Sequence, residues 1–346
     1  MIVKRLARNV FAVGCRASMI LRRAETKNLD QLTILCYHRV LPRDQKKQYF
    51  LPDLVVTPES FDGQCLVVRQ HYDVLPLSDA FDALGQQNHP TRPLASITFD
   101  DGYQDNFFNA APILAKHDLR ATFFVVTDLI GGDSPPWYDR MGKAVANLTM
   151  HGKAEHVMND LNLRHVVAQT HLATQVVRHA KTLAPTPRKL LLDRLCKEAG
   201  ATSTFAPDDL VMNEDQLREL SSVGHEIASH SRTHEILTQL DDAELHEEIA
   251  GSKYILEEKM NRPVRSFCYP NGDVDDRVVR AVSDAGYTCA TSVEVGSNST
   301  GADRFRLRRR FIHEERLLAI HGAASDTLLR MELCGLTVRS LTHARR

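Results

Sequence analysis

Two adjacent acidic residues behind a short apolar run constrain this chain more than any other feature. Residues 94–99 form that run between Pro93 and Gly102, and Asp100 and Asp101 end it. An apolar run bounded by turn residues predicts a buried strand that ends in a tight turn. Two carboxylates at such a place repel each other unless a cation or a proton lies between them. The stretch therefore predicts a strand that delivers acidic side chains to a cation.

Two histidines four residues apart supply the other half of such a site. His230 and His234 follow a second apolar stretch, residues 226–229. On one helical turn this spacing would place both rings on the same face. Alone, the acidic pair is more often a simple turn, and the histidine pair more often a solvated helix face or a core pair. Together, one Asp and two His make three ligands with an open position, which indicates a catalytic divalent metal.

Both motifs resemble those of the polysaccharide deacetylase family, which is carbohydrate esterase family 4 and has the NodB homology domain. Thr98 to Gly102 matches its T-F-D-D-G motif, and His230 to His234 matches H-[ST]-x-x-H. Tyr37 to Val40 resembles a subgroup from exopolysaccharide and envelope-glycan synthesis. The resemblance covers roughly residues 30–335 and implies an α/β fold, a distorted (β/α) barrel of the NodB-homology type.

The resemblance also implies a reaction and its residues. We expect a metal-dependent hydrolase that removes the N-acetyl group from a sugar in a surface polysaccharide or in its lipid-linked precursor. Asp101, His230 and His234 would hold Zn²⁺ or another divalent metal. Asp100 would act as general base, and the backbone N–H of Asn271 would stabilise the oxyanion.

The proton donor and the partner of the base are less well defined by the motifs. His38 ends the first predicted strand, so we expect it to be the general acid, with His313 as the second candidate because the family's last motif is only loosely echoed there. Many family members carry an Arg in the third motif that contacts the catalytic Asp. Cys268 stands at that place in this chain, and Arg265 is the nearby candidate to replace the Arg.

Residues 131–209 break the strand–helix rhythm and are predicted to form a mainly helical insertion. We expect the insertion to cover the barrel mouth and to contribute to specificity, although a stabilising appendage far from the site is the alternative. The predicted substrate contacts are Tyr103, Tyr269, Pro270 and Trp137, the only Trp in the chain.

The first 27 residues are predicted to be an amphipathic helix that precedes the deacetylase domain, residues 28–346. On a helical wheel of residues 2–23, one face holds Val3, Leu6, Val10, Val13, Ala17, Ile20 and Leu21, and the other holds Lys4, Arg5, Arg8, Arg16, Arg22 and Arg23. Such a helix either lies on an anionic membrane surface or packs on its own domain.

Charge and cysteine content limit which kinds of binding partner and which cellular compartment we expect. A formal net charge of −1 argues against nucleic acid as the partner. The seven scattered cysteines indicate free thiols in a reducing compartment. Because Arg16 interrupts the only candidate secretory core, we expect a cytoplasmic protein, with peripheral contact to the inner face of the membrane through residues 2–23.

Two other functions fit the same residues. The chain could hydrolyse a small non-peptide amide, which a closed pocket would favour over a long groove. It could also be a non-catalytic glycan-binding relative. The intact acidic and histidine motifs argue against a pure binder, because binding alone needs no base beside the metal.

Overall fold

The computed structural model describes residues 2–17, 19–86, 91–160, 172–200 and 205–336. The strands within these ranges are β1 (Leu32–Tyr37), β2 (Arg39–Val40), β3 (Val55–Val56), β4 (Asp73–Val74), β5 (Leu94–Phe99), β6 (Ala121–Val125), β7 (Glu226–Ser229), β8 (Ser266–Cys268), β9 (Cys289–Val295) and β10 (Leu307–Phe311).

Helices surround these strands along the same ranges. They are α1 (Ile2–Ala17), α2 (Ile20–Thr26), α3 (Arg43–Gln48), α4 (Pro58–His71), α5 (Leu77–Ala83), α6 (Ala111–Lys116), α7 (Trp137–Met150), α8 (Ala154–Asp160), α9 (Leu172–Lys181), α10 (Pro185–Glu198), α11 (Glu214–Ser222), α12 (Asp242–His246), α13 (Ser252–Met260), α14 (Asp276–Asp284), α15 (Glu314–Leu317) and α16 (Asp326–Leu333).

Seven parallel strands close into a barrel. Their order is β1, β10, β9, β8, β7, β6 and β5, and β5 pairs again with β1. β4 adds to β5 outside the ring, and β2 pairs with β3 separately. Because the barrel pairings are all parallel, the carboxyl ends of the strands meet at one mouth, where such barrels keep their chemistry. The predicted distorted (β/α) barrel is confirmed.

Most residues of the barrel strands are buried, as a barrel wrapped by helices requires, whereas residues 293–295 of β9 and Arg308 of β10 are exposed. Consecutive residues of β1 belong to different hydrophobic clusters. Ile34 packs in the barrel interior with Phe124, whereas Leu35 packs outward with the helices. This period of two decides which side chains can reach the central axis.

The predicted insertion contains helices α7 to α10 and has a hydrophobic cluster of its own. Met141, Val145, Val176 and Leu195 are fully buried in this cluster. The described part of the insertion is therefore mainly helical, and its helices pack around this cluster.

Residues 2–26 form two helices instead of the single predicted helix. The chain turns at Met19, whose φ of 60° is left-handed and cannot continue a helix. Ala12, Cys15 and Leu21 are buried against the outer layer of the barrel. The side chains of Val3, Lys4, Arg5, Arg16 and Ala17, which the helical wheel includes, lie outside the described residues. No helix among the described residues is long and apolar enough to cross a membrane.

Candidate active site

The acidic pair lies in a left-handed turn at the carboxyl end of β5. Asp101 has a φ of 72° and Gly102 one of 73°. A Cβ atom on Gly102 would lie 3.1 Å from the Val125 side chain, so the turn needs glycine both for its backbone angle and for its space. A non-glycine residue at positive φ is strained and persists only where its surroundings enforce it. The turn directs the two carboxylates to different partners.

Asp100 forms a bidentate ion pair with Arg309 of β10. Nη1 lies 2.7 Å from Oδ1 and Nη2 lies 2.9 Å from Oδ2, and both side chains are buried. The Cys36 thiol adds a weak contact of 3.6 Å to Oδ2. Burial on its own would raise the pKa of Asp100, but the Arg309 guanidinium outweighs burial and lowers this pKa to about 2. Asp100 is therefore an ionised and rigidly held carboxylate.

Asp101 faces the two histidines. Its Oδ1 lies 3.2 Å from His234 Nε2 and 3.6 Å from His230 Nε2. The three side chains are buried and offer ligand atoms within 4.8 Å of one another. Among the described residues, neither oxygen of Asp101 has a hydrogen-bond donor. Burial opposes ionisation, but His234, and after it His38 and His230, hold the pKa of Asp101 well below its ordinary value.

The two histidines lie in an irregular loop after β7, and the predicted helical turn is wrong. Ser231 and His234 both have left-handed φ angles, 65° and 63°. The loop is held by its own polar groups: the Ser231 hydroxyl accepts the N–H of His234, and the Glu248 carboxylate accepts those of Arg232 and Thr233. This buried scaffold brings the rings together without helical spacing.

Hydrogen bonds behind the site hold the His230 ring and the His234 backbone. His230 Nδ1 lies 2.8 Å from the Cys268 carbonyl oxygen. A carbonyl only accepts, so Nδ1 carries the proton and Nε2 keeps its lone pair toward Asp101. Trp137 Nε1 donates to the carbonyl of His234 at 3.0 Å, which ties the insertion to the same loop. One buried carboxylate without donors and two buried imidazoles, with ligand atoms close together, fit a divalent cation.

His38 lies next to Asp100, and His313 lies one ring farther away. His38 Nε2 is 3.8 Å from Asp100 Oδ2, and the Phe311 ring contacts both imidazoles, with centroid distances of 5.1 Å to His38 and 5.7 Å to His313. Burial lowers the pKa of His38 more than Asp100 and Asp101 raise it. The geometry therefore places His38 closer to the acidic pair than His313.

Arg309 is the residue that the sequence analysis missed. Arg265, the predicted replacement for the motif arginine, binds Asp79 and Asp82 at the surface and does not contact Asp100. Cys268 occupies the motif position and contributes its backbone carbonyl to His230. The available signal was a charged run, residues 308–310, inside a predicted barrel strand, where every second side chain must point inward.

Two of the predicted substrate contacts are buried side chains. Tyr103 is 0% exposed, and its hydroxyl donates to Asp139 at 2.6 Å and lies 2.7 Å from the Tyr138 hydroxyl. Tyr269 is 1% exposed and donates to the Phe305 carbonyl. Both side chains are therefore enclosed by the protein rather than exposed at the mouth.

Arg39, from the Tyr-His-Arg-Val stretch, packs against the same Tyr103 side chain. Its Nε lies 2.8 Å from Asp105, and its guanidinium lies over the Tyr103 ring at 4.3 Å. Asp139 also accepts the Tyr49 hydroxyl at 2.6 Å, and burial raises the pKa of Asp139 to about 6 despite Arg39. The network joins helix α7 of the insertion to Tyr103, which follows the turn of Asp101 and Gly102.

Asn271 occupies a sharp turn after β8, next to the buried Pro270. Its φ is 58°, and its Oδ1 accepts Nζ of Lys181 from helix α9 at 2.6 Å. Trp137, which is half-buried, and Lys181 thus bring the insertion to two sides of the mouth. The position of the insertion over the mouth stays a prediction, which these two contacts support.

Comparisons with known proteins agree with this arrangement. The family described as Polysaccharide deacetylase matches residues 87–191 and 191–290, which is more than half of the chain. YxkH of Bacillus subtilis, which is named for the same family, is 21% identical over 82% of this chain and 72% of its own length.

Solved structures share the fold. The Streptococcus pyogenes deacetylase PplD in complex with acetate has a TM-score of 0.54 and 19% identity, covering 84% of this chain and 95% of PplD. A de-N-acetylase from Aggregatibacter actinomycetemcomitans has a TM-score of 0.51 and 16% identity, covering 81% and 94%. The chain belongs to the polysaccharide deacetylase family, carbohydrate esterase family 4, and is a hydrolase of carbon–nitrogen bonds other than peptide bonds.

Proposed function

We propose that this enzyme removes the acetyl group from an N-acetylated sugar of a surface polysaccharide or of its lipid-linked precursor, with a divalent metal in its site. The observation that supports this proposal is the division of labour between adjacent acids. Asp101 faces two imidazoles, whereas Asp100 faces a guanidinium. A mere turn would not need two buried carboxylates with separate partners.

Asp101, His230 and His234 are the proposed metal ligands. Their one oxygen and two nitrogens, with open positions left over, suit Zn²⁺ best among common divalent metals. When bound, the cation would polarise the acetyl carbonyl and make a nearby water acidic. The protein's contribution is the fixed orientation of these three side chains.

Asp100 is the proposed general base. Its pKa of about 2 keeps it ionised at neutral pH, so it is ready to accept a proton from water. The water oxygen then forms a bond to the acetyl carbon. The backbone N–H of Asn271, in its left-handed turn, is the proposed donor to the resulting oxyanion.

The carbon–nitrogen bond breaks only if the amine leaves with a proton. His38, beside Asp100, is the proposed donor of that proton. His313 is the alternative, because its ring packs against Phe311, which also contacts His38. The products are acetate and the free amino sugar. Loss of the acid would therefore slow the reaction without releasing the metal.

Residues at the barrel mouth and the name of a similar protein support the proposed substrate class. Trp137 and Lys181 lie at the mouth and are proposed to contact the sugar, Pro270 lying behind them. The name of the related de-N-acetylase supports removal of N-acetyl groups. The net charge of −1 supports a glycan rather than a nucleic acid, and seven free cysteines support a reducing, cytoplasmic location.

Acetate release tests the function. The zinc-loaded protein should release acetate from at least one member of a panel of N-acetylhexosamine oligomers and N-acetylated lipid-linked sugars, and Asp100→Asn should not. Hydrolysis of simple linear or cyclic amides, with no release from any sugar, would overturn the proposal in favour of a small-amide hydrolase.

A further inference from the structure

An apolar stripe on the N-terminal helices faces solvent. Leu6, Val10 and Val13 of α1 are 50%, 64% and 69% exposed, and Met19 and Ile20 are 56% and 45% exposed. The spacing of four and three residues places the α1 members on one face of the helix. Isolated exposed apolar residues are ordinary, but an aligned stripe indicates an interaction surface.

A different face of α1 attaches the helix to the domain. Ala12 and Cys15 are buried, and Phe11 packs beside them. Asn9 Nδ2 donates to the Leu318 carbonyl and Arg8 Nη2 to the Glu315 carbonyl, each at 3.3 Å. The helix is thus held in register with its stripe pointing away from the core. The stripe is not needed to hold α1 in place.

The charge of the segment identifies the partner. Residues 2–24 contain six basic residues and no acidic residue. Arg22 and Arg23 are exposed on α2, close in sequence to Met19 and Ile20. Exposed apolar side chains flanked by cations are the pattern of helices that lie in the headgroup region of anionic bilayers. A second copy would bring the same excess of cations against itself, which disfavours a dimer through this face.

We propose that Leu6, Val10, Val13, Met19 and Ile20, together with Arg22 and Arg23, bind the surface of an anionic lipid bilayer. The contacts of α1 with Glu315 and Leu318 place its first turns beside the segment that follows His313 and the carboxyl end of β10. Docking would therefore bring the barrel mouth near the lipid surface. This last consequence rests on the proposed function, and it favours a lipid-linked sugar as the substrate.

Cosedimentation of the full chain with vesicles tests the surface without reference to activity. The wild type should bind vesicles of phosphatidylglycerol and phosphatidylcholine, and bind those of phosphatidylcholine alone much more weakly. The double variant Val10→Gln/Val13→Gln should lose about tenfold or more in affinity, as should Arg22→Gln/Arg23→Gln at low salt. Because these side chains are exposed, the variants should keep the wild-type melting temperature.

Leu190→Gln and Lys189→Gln, on the exposed face of α10, are the matched controls and should bind like the wild type. Equal vesicle binding by the wild type and both stripe variants overturns the proposal. So does a concentration-dependent dimer that Val10→Gln/Val13→Gln abolishes while vesicle binding is unchanged. Normal vesicle binding without acetate release from any sugar would instead overturn the proposed function and leave the lipid surface standing.

Discussion

Arg309 and Asp100 come from strands on opposite sides of β1, and they meet as a bidentate ion pair inside the barrel. Both side chains are almost completely buried. A guanidinium in this position fixes both the orientation and the charge of the carboxylate. The neighbouring carboxylate, Asp101, is left to the two histidines, so one turn serves two chemical roles.

Arg309→Gln removes the cation that keeps Asp100 ionised. We expect kcat/KM at neutral pH to fall by about 10–100-fold. Without Arg309, burial dominates and the pKa of Asp100 rises, so the acid limb of the pH profile moves to higher pH. Arg309→Lys should recover part of the loss. Arg308→Gln, at the exposed neighbouring position, is the control, and an acid limb unchanged in Arg309→Gln would contradict the assignment.

Substitutions of the two adjacent acids should have different effects on zinc binding and turnover. Asp101→Ala should abolish tight zinc binding and turnover together, since it removes a ligand. Asp100→Asn should retain zinc and lose about 10²–10⁴ in kcat, as expected for a lost general base. Bound zinc measured by metal analysis, together with kcat, distinguishes the two. A fully active Asp100→Asn enzyme would refute the division of roles.

His38→Ala should lower kcat without changing bound zinc, because the imidazole lies beside Asp100 and is the proposed donor of the leaving proton. The alkaline limb of the pH profile, which reports loss of the acid, should disappear. His313→Ala should have a much smaller effect, since His38 is the imidazole that lies beside Asp100. The reverse order of effects would assign the acid to the segment after β10.

Trp137→Phe tests whether the insertion supports the metal ligands. The substitution keeps an aromatic ring and removes the hydrogen bond to the His234 carbonyl. We expect about a tenfold loss of zinc affinity, which is the lower end of the range for losing a residue that hydrogen-bonds to a metal ligand. At saturating zinc, kcat should be retained. Competition with a chelator measures the affinity. Met150→Leu, exposed on the same helix, is the control, and equal zinc affinity in both variants would argue for an insertion with no role at the metal.

His225 should make stability depend on pH. Burial, with a smaller effect of Arg120, lowers its pKa from 6.5 to about 4, and Nδ1 accepts the N–H of Ala121 at 3.0 Å. Between these pH values the unfolded chain binds a proton that the folded chain does not, so acidification destabilises the fold. The contribution lost from pH 6.5 to 4 is up to about 3 kcal/mol.

His225→Asn removes this titration, so its free energy of unfolding should fall less steeply over the same pH range than that of the wild type. Chemical unfolding at several pH values measures both slopes. His151→Asn, at an exposed position, should keep the wild-type dependence. Parallel curves for wild type and His225→Asn would show that this side chain does not supply the effect.

Local pattern was enough for much of the molecule. The apolar runs behind Asp100 and His230 were found as strands β5 and β7, and their parallel arrangement follows from the intervening helices. The helical content of residues 131–209 was also evident from periodicity. These features depend on neighbours within a few residues, so they can be predicted from the sequence alone.

Long-range contacts decided the rest. The partner of Asp100 is separated from it by 209 residues, and the local sequence around Arg309 does not indicate which distant carboxylate its side chain will bind. The histidine loop is non-helical because Glu248 and Ser231 hold it in left-handed angles, against the helical reading of its spacing.

The sequence by itself determined which residues form the candidate site: the acidic pair, the two histidines and the strands that deliver them. Only the tertiary structure decided which arginine completes the base and which face of α1 remains exposed. The physical reason is that periodicity specifies that a side chain is apolar or polar, whereas the barrel closure and the packing of α1 on α16 decide which atoms become neighbours.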